Sequence, residues 1–500
     1  MNFDLSQVHP FFASLIISGD AYKYSQYMQK PVDLRRLWSA GGPRSLKRFK
    51  WNANCGLQDF SLRYLMRPFT QEELDLSEDI LKSMYCPFDR EGFRMILDGH
   101  GGYFPIELWG VPEGTITPAN VMTYAVSSTD ERLPGLGQFV ETALLRPNWF
   151  TPGVSTVSWH IKQDVIKWLD LTSDNKDAVL QIMLNDFGSR GSDTFEGSAC
   201  AGLGHLPHFR GTDNVSSVAL ARSSYGQKTD IGVSIYAMEH STVQSFGREG
   251  EVDAIRCALN SGYKIVAFPI DTYDSFNCIN NLVCGELKDE ILAFGAQGGK
   301  LVCRNDSGDA KEMIPFVLKA LANGYNFTTN SKGKDVLNPC VGTIQSDGVD
   351  YVHEDTVNPL YQAVSDAGFS VESVPLGMGA GLTNAIKRDT MSVAQKVGWG
   401  HYRDVDRHEY TRDLVKECAT QPEKRSKPGI RDVIMHEDGL CEEVQVAASR
   451  WVGSAKKSIM ERKYTKELGC EPRVHNLVEL NELRDRFDQH TNLLKANGLI

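Results

Sequence analysis

The stretch Asn185-Asp186-Phe187-Gly188-Ser189-Arg190-Gly191 gathers an acid, an aromatic ring, a guanidinium and two glycines directly after an apolar run that ends at Leu184. A buried strand reads this way when it surfaces into a functional loop. Four further apolar runs end alike: in Asp271-Thr272-Tyr273-Asp274, in Arg304-Asn305-Asp306-Ser307-Gly308, in Ser346-Asp347-Gly348 and in Gly377-Met378-Gly379-Ala380-Gly381. Strand ends that repeatedly carry Asp, Arg or Gly predict one polyvalent pocket at the ends of a parallel sheet or barrel.

Each residue type brings its own chemistry. Carboxylates such as Asp306 and Asp347 bind the vicinal hydroxyls of a ribose or a divalent metal, and the glycine after each lets backbone come close. The run 377–381, with Lys387 and Arg388 in the helix expected after it, has the form of a phosphate cradle. His240 follows the apolar segment 231–236, within Glu239-His240-Ser241-Thr242. It reads as a structural histidine or as a group for proton transfer or phosphoryl acceptance. Asp213, after Arg210-Gly211-Thr212, reads as a helix N-cap or as an acceptor for a ligand N–H. Together these residues suit a ligand with a phosphate, a sugar and an aromatic ring.

The elements that must position them follow a simple rhythm. Beyond residue 150, apolar strands alternate with helices expected at 158–169, 250–259, 311–322, 359–367 and 383–396, the pattern of an α/β fold. Earlier, residues 11–17 read as a first strand, Ser18 to Lys23 as a turn, and Thr70-Gln71-Glu72-Glu73 as a capping box opening a helix to about residue 85. Residues 95–126 read as a small antiparallel layer. Residues 34–50 are basic, as are Lys424, Arg425 and Lys427, in a charged, helix-poor stretch that begins near residue 402. An amphipathic helix is expected over 477–494.

Composition narrows the class. In 500 residues, 41% hydrophobic and 23% charged, 53 basic against 64 acidic side chains give a net charge of −11. That balance argues against nucleic acid or an acidic membrane as a partner, though not against a local phosphate pocket. The eleven cysteines include no C-x-x-C pair and no zinc spacing, so reduced, buried thiols are expected. The run 11–17 is too short to span a bilayer and has no basic leader, so a cytoplasmic protein is expected.

Ten short motifs in order make the sequence resemble the nicotinate/nicotinamide phosphoribosyltransferase family of type II phosphoribosyltransferases. They are Asp20-Ala21-Tyr22-Lys23, Val111-Pro112-Glu113-Gly114, Asp186 to Gly191, Gly211-Thr212-Asp213, Glu239 to Thr242, Asp271 to Asp274, Arg304 to Gly308, Asp347-Gly348-Val349-Asp350, Lys387-Arg388-Asp389 and Lys424-Arg425-Ser426-Lys427. The resemblance implies an irregular α/β barrel with an additional β-rich N-terminal layer. It divides the chain into an N-terminal α+β layer (1–150) that contributes to a dimer interface and the active site, a catalytic barrel (151–400), and a C-terminal part (401–500) whose basic loop, β-rich segment and helix pack back on the N-terminal layer.

It further implies a homodimer with shared active sites, and transfer of 5-phosphoribosyl from phosphoribosyl pyrophosphate to nicotinamide. Mg²⁺ would accompany the pyrophosphate, and ATP would phosphorylate His240. Phe187 and the partner subunit's Tyr22 would sandwich the pyridine ring, lined by Arg190 and Arg304, with Asp271 among the substrate-binding residues. Asp306 and Asp347 would hold the ribose and help stabilise its oxocarbenium-like transition state. Gly379, Ala380 and Arg388 would take the 5′-phosphate, and Ser346 is also among the substrate-binding residues. Lys396, Lys416 and Lys424, with Arg44, would face the pyrophosphate. Asp213 would prefer an amide to an acid, since a carboxylate repels nicotinic acid. A nicotinate-using enzyme and a non-catalytic dimeric relative are the alternatives. The sequence departs from the family at Ser346 and Ala380, where glycine is more frequent, and at Ala267 and Ser189.

Overall fold

A computed structural model describes residues 14–44, 48–421, 425–447 and 449–500. The chain forms two compact units. The first takes residues up to Thr156, the short segment Ala221–Gln227, and everything from Lys387 on; the second takes Val157–Leu220 and Lys228–Ile386.

The second unit is the parallel α/β barrel expected. Its strands are β1 (Leu184–Asp186), β2 (Gly211–Thr212), β3 (Tyr236–Ala237), β4 (Ile265–Pro269), β5 (Lys300–Asn305), β6 (Val341–Gln345) and β7 (Leu376–Met378), in the spatial order β2-β1-β7-β6-β5-β4-β3. Every neighbouring pair is parallel. A parallel bridge between Gly211 and Val233 brings the chain entering β3 beside β2, so the two edges of the sheet meet. Parallel neighbours require crossovers, and these include helices such as Glu251–Leu259, Ala310–Tyr325 and Val357–Asp366. The apolar runs shrink where chain geometry intervenes: residues 180–182 and 371–373 form single 3-10 turns, and strand begins only at Leu184 and Leu376.

The first unit is built on an antiparallel sheet in which Leu34–Pro43 lies between Val393–Arg403 and Tyr124–Ser128. Ile106–Gly110 and Glu461–Thr465 extend it. One face covers an aromatic core that includes Tyr24, Phe93, Phe104 and Phe139. The capping box at Thr70 is present and opens the helix Gln71–Ser83.

Four local expectations are corrected. Leu15–Ile17 is a 3-10 turn rather than strand, and residues 11–13 lie outside the described residues. Leu15 and Ile16 plug into the aromatic core, where Tyr24 donates its hydroxyl to Ile16 O at 2.7 Å; a short apolar run carries no period that distinguishes plug from strand. Ser18 to Lys23, read as a turn, leads into a second 3-10 helix, Ala21–Met28. Residues 95–100 end the helix Arg90–His100, because Phe93, Ile96 and His100 bury one helical face. Finally, 383–396 is not one continuous helix, and only the short helix Arg388–Met391 lies inside it. Ser392 takes the left-handed conformation (φ 50°), and Val393–Arg403 leaves it as a strand paired to Leu34–Pro43.

A buried polar knot joins the three chain pieces of the first unit. The Glu113 carboxylate accepts the Gln58 backbone N–H at 2.7 Å and the Tyr225 hydroxyl. The Gln58 side chain donates to Ser224 O (2.7 Å) and Val478 O (2.9 Å) and accepts from Val478 N–H (2.8 Å). Burial raises the Glu113 carboxyl above its usual range. Replacing Tyr225 by Phe removes one donor from this buried acid and should destabilise the fold by about 1–3 kcal/mol. A denaturant midpoint identical to wild type would contradict that.

Candidate active site

Because all seven barrel strands run the same way, the residues after each one emerge at one end. There, β1 closes on the fully buried Asp186. Its carboxylate accepts Gly188 N–H at 2.8 Å on one oxygen and Asn214 Nδ2–H at 3.0 Å on the other, tying the loop after β1 to the loop after β2. Phe187 donates its backbone N–H to Met378 O at 3.0 Å, and its ring lies over Gly377. A Cβ on Gly377 would stand 2.2 Å from that ring, so glycine is required by close approach. Arg190 lies exposed in the turn Ser189–Gly191.

Asp213 is exposed beside this loop, its backbone N–H donating to Asp186 O at 3.0 Å. The N-cap reading passes instead to Asn214, whose side-chain oxygen accepts Ser217 N–H at 3.3 Å. One Asp213 oxygen accepts the Ser234 hydroxyl at 2.5 Å; the second has room for a ligand donor. Ser234 escaped sequence reasoning because a lone serine ahead of a two-residue strand carries no pattern.

His240 opens a short helix after β3 and sits among charges from β4 and β5. Its Nε2 is 3.0 Å from Asp271 Oδ1, and its Nδ1 is 3.4 Å from Arg304 Nη2 and 3.9 Å from Asp306 Oδ2. Asp271 is therefore a partner of His240 in addition to any ligand. Hydrogen bonding to a carboxylate fixes the proton on Nε2 and leaves the Nδ1 lone pair facing the guanidinium. The buried Arg304 Nε makes no hydrogen bond here.

Asp306 also accepts the Ser346 hydroxyl at 2.6 Å, and Asp347 is exposed ahead of Gly348 (φ 70°). Both carboxylates line a cleft of about 330 Å³ that also takes in Asp309, Lys311, Glu354 and Asp355. Gly379 precedes a helix of only four residues, Ala380–Thr383, so any anion there meets backbone N–H groups with little dipole behind them; the longer helix expected from the sequence is absent. Among the described residues, the group of three ligand-type side chains close enough to hold a metal is Asp404, Asp406 and His408, on an exposed turn away from these strand ends in sequence.

The remaining candidates belong to the first unit. Tyr22 stands on the 3-10 helix Ala21–Met28 with 62% of its surface exposed. Arg388 opens a short helix and pairs with Asp389 at 3.1 Å. Lys396 lies on the strand Val393–Arg403, and burial, reinforced by Arg44, Lys416 and Lys23 against Glu141, holds its ammonium below the usual lysine range. Lys396 lines a cleft of about 110 Å³ with Arg44, Arg425, Lys427 and Arg431. Lys416 is exposed, and Lys424 lies outside the described residues.

Comparison with known proteins accords with this geometry. The nicotinate phosphoribosyltransferase family matches residues 182–452, and the nicotinamide phosphoribosyltransferase N-terminal domain matches residues 14–108. The chain is 35% identical over 393 residues to a nicotinamide phosphoribosyltransferase of Xanthomonas campestris, covering 77% of this chain and 81% of that one. A second, from Acinetobacter baylyi, is 28% identical over 68% of this chain and 69% of its own. The fold matches the crystal structure of a nicotinate-nucleotide pyrophosphorylase from Pyrococcus furiosus, with a TM-score of 0.55, 14% identity and 99% of each chain covered.

The contact between Phe187 and Gly377 yields a stability test. Gly377→Ala should cost about 1–3 kcal/mol by overpacking, and this loss should shrink when Phe187 is also replaced by Ala. Equal losses in both backgrounds, read from unfolding curves, would rule out the ring as the cause.

Proposed function

Because the chain belongs to the nicotinate phosphoribosyltransferase family, we propose that it transfers the 5-phosphoribosyl group of phosphoribosyl pyrophosphate to nicotinamide, giving nicotinamide mononucleotide and pyrophosphate for NAD synthesis. The observation that carries the choice of substrate is Asp213, with one oxygen engaged by Ser234 and the other able to accept an amide N–H. The same oxygen repels the carboxylate of nicotinic acid.

In this reading Phe187 supplies one flat face for the pyridine ring, Tyr22 of the partner subunit the other, and Arg190 lines the slot. Asp306 and Asp347 hold the ribose hydroxyls and stabilise the positive charge that develops as the bond to pyrophosphate breaks. Gly379, Ala380 and Arg388 receive the 5′-phosphate. Arg44, Lys396 and Lys416 face the leaving pyrophosphate, for which Mg²⁺ would serve as counter-ion. Two subunits share each site. Such a protein works in the cytoplasm, and no helix among the described residues is long and apolar enough to cross a membrane.

ATP enters through His240. With Nε2–H donating to Asp271, the Nδ1 lone pair attacks the γ-phosphorus of ATP, the bond to ADP breaks, and water later hydrolyses the phosphohistidine. Arg304, 3.4 Å from Nδ1, neutralises the incoming phosphoryl group.

The decisive assay offers nicotinamide or nicotinic acid with phosphoribosyl pyrophosphate and Mg²⁺, each with and without ATP. Mononucleotide from nicotinamide supports the reading; product from nicotinic acid alone would overturn the substrate choice, and none from either would favour a non-catalytic relative. Asp213→Ser should lower the preference for nicotinamide over nicotinic acid by about tenfold or more, and an unchanged ratio of kcat/KM values would reject that role. His240→Ala should leave only slow, ATP-independent transfer, whereas full ATP stimulation in the variant would reject the phosphohistidine.

A further inference from the structure

Ser346 is buried at the end of β6, and its place is rigidly set. Its backbone N–H donates to Asn305 O at 2.9 Å, and the preceding Gln345 accepts Asn305 Nδ2–H at 2.8 Å. Its hydroxyl has two acceptors in reach, Asn305 O at 3.0 Å and Asp306 Oδ1 at 2.6 Å. A hydroxyl carries a single proton, and the charged, closer carboxylate takes it in preference to an amide oxygen.

The other Asp306 oxygen faces two groups that attract it. Oδ2 is 3.8 Å from Arg304 Nη2 and 3.9 Å from His240 Nδ1, short of hydrogen-bonding contact with either. The carboxylate is thus held on one side by Ser346 and stands back from the guanidinium and the imidazole on the other. We infer that Ser346 is a positioning residue that restrains Asp306 from closing its loose ion pairs with Arg304 and His240 to hydrogen-bonding contact, keeping its carboxylate available to the ribose hydroxyls. The inference rests on the ribose role proposed for Asp306. The clamp acts on binding and supplies no group to the bond-breaking step.

Two consequences follow on losing the hydroxyl. The ribose loses a well-placed acceptor, and the released carboxylate closes on His240, whose other charged neighbours are Asp271 on Nε2, Arg304 on Nδ1 and the adjacent Glu239. The test compares Ser346→Ala and Ser346→Gly with Ser346→Thr, which keeps a hydroxyl, after circular dichroism has identified the folded variants. Ala and Gly should raise KM for phosphoribosyl pyrophosphate about tenfold with kcat within about twofold, while Thr restores the wild-type KM. In the substrate-free protein, the His240 imidazole, followed by NMR, should titrate at higher pH in the Ala and Gly variants than in wild type.

An unmoved imidazole titration overturns the inference whatever the activity. An unchanged KM beside an active wild-type enzyme overturns it too. A wild-type protein that transfers nothing from phosphoribosyl pyrophosphate overturns the ribose role itself, and the imidazole titration then still decides whether Ser346 restrains Asp306.

Discussion

A carboxylate with no exposure to solvent, that of Asp186, sits where the barrel's first two loops begin, and much of the site's order traces to it. Burying such a charge without partners is expensive by several kcal/mol. The chain meets that demand with a backbone N–H from Gly188 and a side-chain N–H from Asn214. Satisfying one acid therefore fixes two loops at once: the one carrying Phe187 and Arg190, and the one carrying Asp213. Phe187 and Asp213 keep their spacing because the group beneath them cannot move without losing its hydrogen bonds.

The other half of the site has a different logic. Around His240 the charges alternate, with Asp271 on one nitrogen and Arg304 and Asp306 on the other. A histidine so flanked has a fixed tautomer, with Nε2 held by a carboxylate and Nδ1 facing a guanidinium. The groups sit on neighbouring strands, β4 and β5, whose register aligns Phe268 with Cys303 and Pro269 with Arg304. The parallel ladder, rather than any local loop conformation, brings them within reach.

What the sequence revealed and what it concealed follows from this. Asp306, Asp347 and His240 were legible as strand-end residues because an apolar run that stops at a charged group is a local pattern, whereas Asp213 showed only as a helix N-cap or a ligand acceptor. Their partners were not. Ser234 meets Asp213 and Ser346 meets Asp306 across 21 and 40 residues of chain, and such pairings exist only once the barrel sets its register. The misread stretch before Lys396 has the same origin. Its residues alternate in burial because Leu34–Pro43 pairs beside them, and that strand lies more than 340 residues earlier. The short Ala380–Thr383 helix was likewise invisible, since glycine-rich text does not state where a helix will stop.

The division of the chain also sets an order of events during synthesis. The barrel unit takes its last strand from Leu376–Met378. The antiparallel sheet of the first unit waits longer: its strand Leu34–Pro43 pairs with Val393–Arg403, and the Gln58 knot is completed only by Val478. On the ribosome, the barrel can therefore close while the N-terminal segments remain without their late partners. Such segments carry unpaired strand edges and apolar surface, the features that draw chaperones and favour aggregation. Truncation before Val478 would then act on the earliest-made part of the protein, by leaving the buried Gln58 side chain without two of its three backbone partners.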